Sequence, residues 1–252
     1  MRLALFSDIH GNPIALEAVL REINDNVDGY IVIGDHLALG YDPVTTLQML
    51  QSLPNAVFTR GNTDRYVITG DRPYPSVDDA LNDPALMPRL MEVQANFEWT
   101  RGYLSSTDDG LDWLAALPLE YRLTLPDGTR LLAVHASPGH DDGTAFAVEQ
   151  TDEEMFALVE GCQADIVAGG HWHNPLQRCV NGIHCLNVAS VSNPHGKDWR
   201  ASYVILEADT TGYSVTFHRG EYDYEAVRQA FRKSGNRFLD YQLHFWDENR
   251  QM

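Results

Sequence analysis

The apolar positions of the chain fall into short runs, each closed by polar or glycine residues and followed by a helical period. Leu3–Phe6 ends at Ser7-Asp8, after which Leu16, Val19, Leu20 and Ile23 recur at the spacing that places side chains on one helix face. Tyr30–Ile33 ends at Gly34-Asp35, and Pro43, a residue type favoured at the first helical position, opens a helix through Leu53. A third run, Ala56–Thr59, ends at Gly61-Asn62. Strand, loop and helix in series predict an α/β fold, and such sheets collect ligands at the carboxyl ends of their strands.

Beyond the third run the pattern changes. Pro and Asp cluster from Asp71 to Pro88, which predicts a surface loop. Arg89–Leu104 and Asp108–Leu117 read as helices, and Tyr121–Leu125 and Arg130–His135, joined by Pro126-Asp127-Gly128, as a hairpin. Thr151-Asp152-Glu153-Glu154 is a capping box for a helix to Glu160, and strand Ile166–Ala168 leads into Gly169-Gly170-His171. Asn181-Gly182 predicts a two-residue hairpin turn. Counting outward from it pairs Cys179 with His184 and Cys185 with Arg178, which puts the two cysteines on opposite faces and excludes a bridge between them. Strands near Ala201–Glu207 and Tyr213–Phe217 and a helix over Tyr224–Lys233 complete the pattern. With no repeat or linker, residues 1–252 read as a single domain.

Composition narrows the classes. The 252 residues are 44% hydrophobic and 21% charged, enough apolar surface for a sizeable core and too much for dominant disorder. No apolar run approaches the roughly 18 residues of a membrane span, so no membrane partner is expected. The 18 Lys and Arg against 36 Asp and Glu give a net charge of −18, which argues against a nucleic-acid duplex as partner. The stretch Met1-Arg2-Leu3-Ala4-Leu5-Phe6-Ser7 lacks the apolar length and cleavage site of a signal peptide, and the three cysteines form no paired framework. A reducing, cytoplasmic location is expected.

Five segments carry chemistry: Asp8-Ile9-His10, Gly34-Asp35, Gly61-Asn62-Thr63-Asp64, Val134-His135-Ala136 and Gly170-His171-Trp172-His173. With 23 Asp and 10 His, chance alone gives roughly one Asp-x-His per chain. Gly-His-x-His is rarer, on the order of 0.03 per chain. Chance does not explain five successive strand ends that each bear Asp, His or Asn. Imidazole nitrogen and carboxylate oxygen are ligands for borderline divalent metals, and an Asn carbonyl oxygen joins them readily. A single carboxylate spans two ions with its two oxygens, and Asp35 is the bridging candidate.

In this order the five segments resemble the calcineurin-like metallophosphoesterase superfamily, whose pattern runs Asp-x-His, Gly-Asp, Gly-Asn-His-Asp or Glu, a lone His, then Gly-His-x-His. The match spans residues 8 to 173. Asn96-Phe97-Glu98-Trp99-Thr100 through Leu117-Pro118, and Asn187-Val188-Ala189-Ser190-Val191 through Tyr203, extend the likeness to small bacterial phosphodiesterase-like members. The resemblance implies a four-layer α/β/β/α sandwich of two mixed sheets with the metal site at the strand carboxyl ends. It further implies a largely helical insert over the site at 65–120 and a C-terminal extension at 234–252. Carried across, Asp8, His10 and His173 hold one ion, Asn62, His135 and His171 a second, and Asp35 bridges. Two divalent transition ions are implied, drawn from Mn, Fe, Zn and Ni, with Mn favoured. An ion pair roughly 3.5–4 Å apart lowers the pKa of a bridging water, whose hydroxide attacks phosphorus in line with the leaving oxygen.

Two departures bear on substrate. Thr63 stands where the family often has a His that assists the leaving group, and a threonine hydroxyl is too weak an acid for that near neutral pH. His195 stands where similar proteins often carry Arg, and it and His36 are conceivable substitute proton donors. Asp64 is expected to orient a neighbouring group, and Arg65 and Arg200 to neutralise a phosphate oxygen. The expected function is hydrolysis of a small phosphate ester, phosphodiesters favoured. The alternatives are a protein or small-molecule phosphomonoesterase, or a non-catalytic phospholigand-binding scaffold.

Overall fold

The computed structural model describes residues 1–248. In chain order, β1 (Arg2–Ser7), α1 (Pro13–Ile23), β2 (Gly29–Ile33), α2 (Pro43–Gln51) and β3 (Ala56–Thr59) are the strands and helices expected from the first three apolar runs. The helices α3 (Asn62–Thr69), α4 (Val77–Asn82), α5 (Met87–Leu104) and α6 (Gly110–Ala115) follow, with one 3-10 turn at Pro84–Leu86. Then come β4 (Glu120–Thr124), β5 (Arg130–Val134), α7 (Asp152–Val159), β6 (Ile166–Gly169), β7 (Leu176–Val180) and β8 (Ile183–Asn187). The described chain ends with β9 (Ala201–Asp209), β10 (Gly212–Gly220), α8 (Tyr224–Lys233) and α9 (Leu239–Glu248). Of the extension expected over 234–252, residues 249–252 lie outside the described residues.

The strands form two mixed five-stranded sheets, ordered β10-β9-β1-β2-β3 and β4-β5-β6-β8-β7. β1, β2 and β3 are parallel, as are β5, β6 and β8. Period-2 alternation then builds four layers. Leu3, Leu5, Ile31 and Ile33 of the first sheet meet Leu131, Ala133, Ile166 and Ala168 of the second in one buried cluster. The other face of the first sheet, with Ala4, Phe6 and Val32, packs on Leu16, Val19, Leu47, Leu50 and Phe97 of α1, α2 and α5. The outer face of the second, with Leu132, Val134, Val167 and Cys185, packs on Met155 and Val159 of α7. Burying one Leu or Val side chain contributes about 1.5–3 kcal/mol, so both faces of each sheet are driven to be covered. The result is the α/β/β/α sandwich.

The Asn181-Gly182 hairpin has the register counted from its turn, Cys179 opposite His184 and Arg178 opposite Cys185. Cys185 is buried, Cys179 is exposed, and all three cysteines are free. Three elements depart from expectation. The 71–88 stretch is not a plain loop: the Ser76 hydroxyl accepts from Asp79 N at 3.1 Å while the Asp79 carboxylate accepts from Ser76 N at 2.8 Å, and this capping box starts α4. Gly61-Asn62, at the close of the third apolar run, leads straight into a helix, with Asn62, Thr63 and Asp64 as the first turn of α3. The aromatic C-terminal stretch forms α9, which packs back on the domain through buried Trp246, whose Nε1 donates to Ser192 O at 3.2 Å. Among the described residues no helix is long and apolar enough to cross a membrane.

Candidate metal centre

All five chemistry-bearing segments converge at the carboxyl ends of the parallel strands. Asp8 and His10 follow β1, Asp35 follows β2, and Asn62 opens α3 just beyond β3; His135 follows β5, and His171 and His173 follow β6. The turns are strained: Asp8, His10, Asp35 and His171 all have left-handed backbone, with φ of 55°, 47°, 54° and 66°. Each such non-glycine residue costs of order 1–3 kcal/mol and persists only where its surroundings over-determine it. Here they do. Asp8 N donates to Gly34 O and His10 N to Asp35 O, at 3.2 and 3.0 Å, and Ser190 Oγ donates to Asp8 O at 2.8 Å. Gly61 lies against the Asp35 carboxylate and Gly170 against Ser7 and Asp8, where no Cβ fits.

Two groups of three candidate ligands share one carboxylate. In Asp8–His10–His173 and in Asp8–Asp35–His135 the ligand atoms all lie within 4.8 Å of one another. His173 Nε2 is 3.1 Å from Asp8 Oδ1, and His135 Nε2 is 3.4 Å from Asp35 Oδ1. His10 Nε2 is 3.8 Å from Asp8 Oδ1 and 3.8 Å from Asp35 Oδ2, so Asp35 faces both groups. Beside them His171 Nδ1 is 3.0 Å from Asn62 Oδ1.

The far sides of the rings fix which nitrogen points inward. His10 Nδ1 lies 3.1 Å from Ala38 O, His135 Nδ1 3.3 Å from Ile33 O, and His173 Nδ1 3.0 Å from Asn193 O. A carbonyl only accepts, so each Nδ1 carries a proton and donates, and Nε2 is the nitrogen turned towards the carboxylates. Nε2 of His10 and of His135 are buried with no hydrogen-bond partner. Ring nitrogens turned towards carboxylate oxygens call for a positive charge there, a proton or a metal ion, and imidazoles held by backbone carbonyls on the far side are the usual arrangement of metal ligands. The donor set of His nitrogen, carboxylate oxygen and an Asn carbonyl therefore fits divalent transition ions.

The same field is visible in proton affinities. Burial alone would raise the Asp8 carboxyl, but the His173 and His135 imidazoles outweigh it and bring it to about 2. Asp35 likewise lies well below the usual carboxylate range: burial opposes this, and the charges of His135 and His10 overcome it. Burial would lower His135, yet Asp35 and Asp8 raise it to about 10, while burial holds His10 down to about 4.

The remaining expected residues divide between the cavity and its supports. Asp64 is fully buried, and its carboxylate accepts from Asp35 N at 2.9 Å, His36 N at 3.0 Å and Gly61 N at 2.8 Å. It ties the β2 turn to the start of α3, and burial raises its pKa. Thr63 N donates to Asp35 Oδ1 at 2.9 Å, and the Thr63 hydroxyl is buried with no partner at the cavity. His195 lines the cavity beside His173, its ring centroid 5.4 Å from that ring, and burial brings it to about 4. His36 is elsewhere: its Nε2 meets Thr59 O at 2.9 Å and its ring packs between Phe58 and Trp113. The Arg65 guanidinium is taken up by Asp141, Asp71 and Asp142, and Arg200 pairs with Asp198, so neither lines the cavity.

The cavity itself measures about 320 Å³, and the ligand candidates His10, Asp35, Asn62, His171 and His173 reach it. Its other walls, unforeseen in the sequence, are largely apolar: Leu39, Tyr66, Phe97, Tyr241 and Phe245. The four-residue spacing of Tyr241 and Phe245 in an aromatic stretch was the available signal, since that spacing places two side chains on one helix face.

The family model for calcineurin-like phosphoesterase matches residues 1–175. MJ0912, an uncharacterized protein of Methanocaldococcus jannaschii, is 25% identical over 247 residues, covering 92% of this chain and 90% of its own. Among solved structures, the hypothetical protein PH1004 of Pyrococcus horikoshii has the same fold, with a TM-score of 0.77 at 18% identity over 96% of this chain and 97% of its own. A metallophosphoesterase of Sphaerobacter thermophilus superposes with a TM-score of 0.69 at 22% identity, over 96% of this chain and 98% of its own. The matched stretch contains every candidate ligand, and the sandwich delivers those ligands to one point: the chain belongs to the calcineurin-like phosphoesterase family, whose members are metal-dependent phosphoesterases.

Proposed function

We propose that the chain is a dinuclear metal-dependent hydrolase of small phosphate esters that favours phosphodiesters. The observation that carries this reading is the pair of three-ligand groups joined at Asp8, with the buried Nε2 atoms of His10 and His135 unpartnered between two carboxylates. Asp8, His10 and His173 would hold one ion and Asn62, His135 and His171 the other, with Asp35 facing both; Mn²⁺ is the favoured species among Mn, Fe, Zn and Ni. When bound, such ions supply a nucleophilic water at neutral pH and charge neutralisation for the phosphate oxygens.

The chain's own residues do the rest. The backbone carbonyls of Ala38, Ile33 and Asn193 accept from Nδ1 of the three rings and so hold Nε2 of each towards the carboxylates. Asp64 holds the Asp35 backbone, and so the direction of its carboxylate. Thr63 offers the phosphate a hydroxyl but no acid strong enough to protonate an alkoxide, and His195 faces the substrate from the neighbouring wall. Without a strong proton donor, esters whose leaving group departs unassisted are favoured, which supports diesters with acidic alcohols over alkyl monoesters.

The test is metal content by mass spectrometry on protein purified without chelators, with Mn²⁺-supplemented hydrolysis of bis-p-nitrophenyl phosphate and p-nitrophenyl phosphate. About two metals per chain and faster cleavage of the diester are expected. Metal without turnover of either ester overturns the hydrolase in favour of a phospholigand-binding scaffold, and no metal uptake at all overturns the centre.

A further inference from the structure

The family match ends at residue 175, yet the cavity does not. Helix α9 lies about seventy residues further on and supplies Tyr241 and Phe245 from one face of a single turn. The Phe245 ring centroid is 5.0 Å from that of His10 at an interplanar angle of 80°, and 6.3 Å from that of His173 at 85°. Phe245 thus stands edge-on to two candidate ligands of the same group. The helix is fixed from several directions. Gln242 Nε2 donates to Gly40 O at 2.8 Å, Asn193 Nδ2 donates to Phe245 O at 3.3 Å, and the Arg89 guanidinium sits 4.5 Å from the centroid of the Tyr241 ring. Tyr66 and Phe97, themselves edge-to-face at 5.4 Å, line the same cavity.

Candidate metal ligands and four aromatic rings thus line one cavity. The ligand set takes a phosphate. The rings offer faces and edges, which attract flat π systems and give little to an alkyl or sugar hydroxyl. The volume of about 320 Å³ is at the small end of ligand sites, which run roughly 300–1,000 Å³, and suits one phosphate with one flat group better than a protein segment.

Resting on the hydrolase reading above, we propose that α9 is the specificity element of this site: Phe245, with Tyr241, selects phosphate esters that carry a flat aromatic group, either an aryl ring on the ester oxygen or a nucleobase one sugar away. Phe245 is a specificity-determining wall that touches the substrate's ring. It takes no part in bond making.

Binding rather than turnover tests this, with phosphonates that cannot be hydrolysed. Phenylphosphonate and methylphosphonate are titrated calorimetrically into the Mn²⁺-loaded protein, into Phe245→Leu, which keeps the bulk and loses the ring, and into Phe245→Tyr, which keeps both. The wild type is expected to prefer phenylphosphonate by roughly tenfold, the scale of one ring stacking on an aromatic side chain. Phe245→Leu is expected to lose most of that preference with methylphosphonate affinity unchanged, and Phe245→Tyr to keep it. A wild type without preference overturns the proposal, as does a Phe245→Leu variant that retains the preference or weakens both ligands equally. Competition by the methylenephosphonate analogue of adenosine 5′-monophosphate separates the two sources: tighter binding than phenylphosphonate assigns the flat group to a nucleobase, weaker binding to a simple aryl. Aromatic preference in a protein that cleaves no ester sinks the hydrolase and leaves this assignment standing, whereas ester cleavage with no preference does the reverse.

Discussion

The two ends of the parallel strands β5 and β6 use similar residues to opposite effect. At the amino end, Asp165 Oδ2 accepts from Arg130 N and Nε, both at 2.9 Å, and Oδ1 from Arg130 Nη2 at 2.8 Å. The charges are exposed, opposite in sign and matched to each other. At the carboxyl end, His135, His171 and His173 meet Asp8 and Asp35 across the turns of β1 and β2; all but the partly buried His171 are fully enclosed, and inward nitrogens remain without a partner. The backbone there is left-handed at four of the seven candidate ligands. An end whose polar groups satisfy one another is complete as it stands. An end that holds strain and buried ring nitrogens without a hydrogen-bond partner is suited to a cation, and that difference marks the functional end of a sheet more reliably than the mere presence of charge.

The contrast can be broken at several points. The largest effect is expected from Asp35→Asn, which removes the carboxylate facing both ligand groups: turnover of bis-p-nitrophenyl phosphate should fall by more than roughly 100-fold, beyond what the loss of an outer support costs. Activity within a few-fold of wild type would separate Asp35 from the chemistry. Metal removal comes next. With free Mn²⁺ at about 100 times its Kd, ligation stabilises the fold by ≈ 2.7 kcal/mol, so Tm should drop on chelation and climb with added metal. A Tm indifferent to both would leave the carboxyl end as self-contained as the amino end.

Asp64→Asn tests the support beneath the ligands. It replaces with a donor one of the two oxygens that together accept from three buried N–H groups, at a cost of about 2 kcal/mol, read as a lower urea midpoint with unchanged m. The smallest effect belongs to Asp165→Asn at the amino end. Hydrogen bonds from Arg130 hold the Asp165 carboxyl at about 2, below its ordinary 3.8, so its contribution is present above pH 3.8 and is lost as pH falls towards 2. Because the pair is exposed, the loss should be under about 1 kcal/mol and should shrink as pH drops below 4 in pH-dependent thermal melts.

The carboxyl end was legible in the sequence because its signals are local. Each ligand sits within a few residues of an apolar run, and strand alternation follows from period-2 burial of residues such as Leu3, Leu5, Ile31 and Ile33. Among the supports Asp64, in the Gly-Asn-Thr-Asp segment, was expected to orient a neighbouring group; the others were not legible, because they are contacts between distant residues. Arg65 reads as a phosphate-binding cation beside the Gly-Asn motif, but Asp141 and Asp142 reach it from 76 and 77 positions away. Helix α3 escaped notice because its first turn buries Asn62, Thr63 and Asp64, polar residues that leave no apolar period to read. The 71–88 segment read as loop from its Pro and Asp content, although Ser76 and Asp79 formed a legible helix start.

The order of the first sheet also bears on how the protein is made. β1 lies between β2 and β9, and β9 begins about 190 residues after β1 ends. During synthesis from the amino end the ribosome releases β1, β2 and β3 long before the strand that covers the other flank of β1. Through that interval a nascent chain presents Leu3–Phe6 as an open edge, the kind of surface that recruits foreign strands or chaperones. Residues 190–192, which bond Ser7 and Asp8, arrive almost as late. The turn at Asp8–His10 therefore waits for residues made far later before it can close.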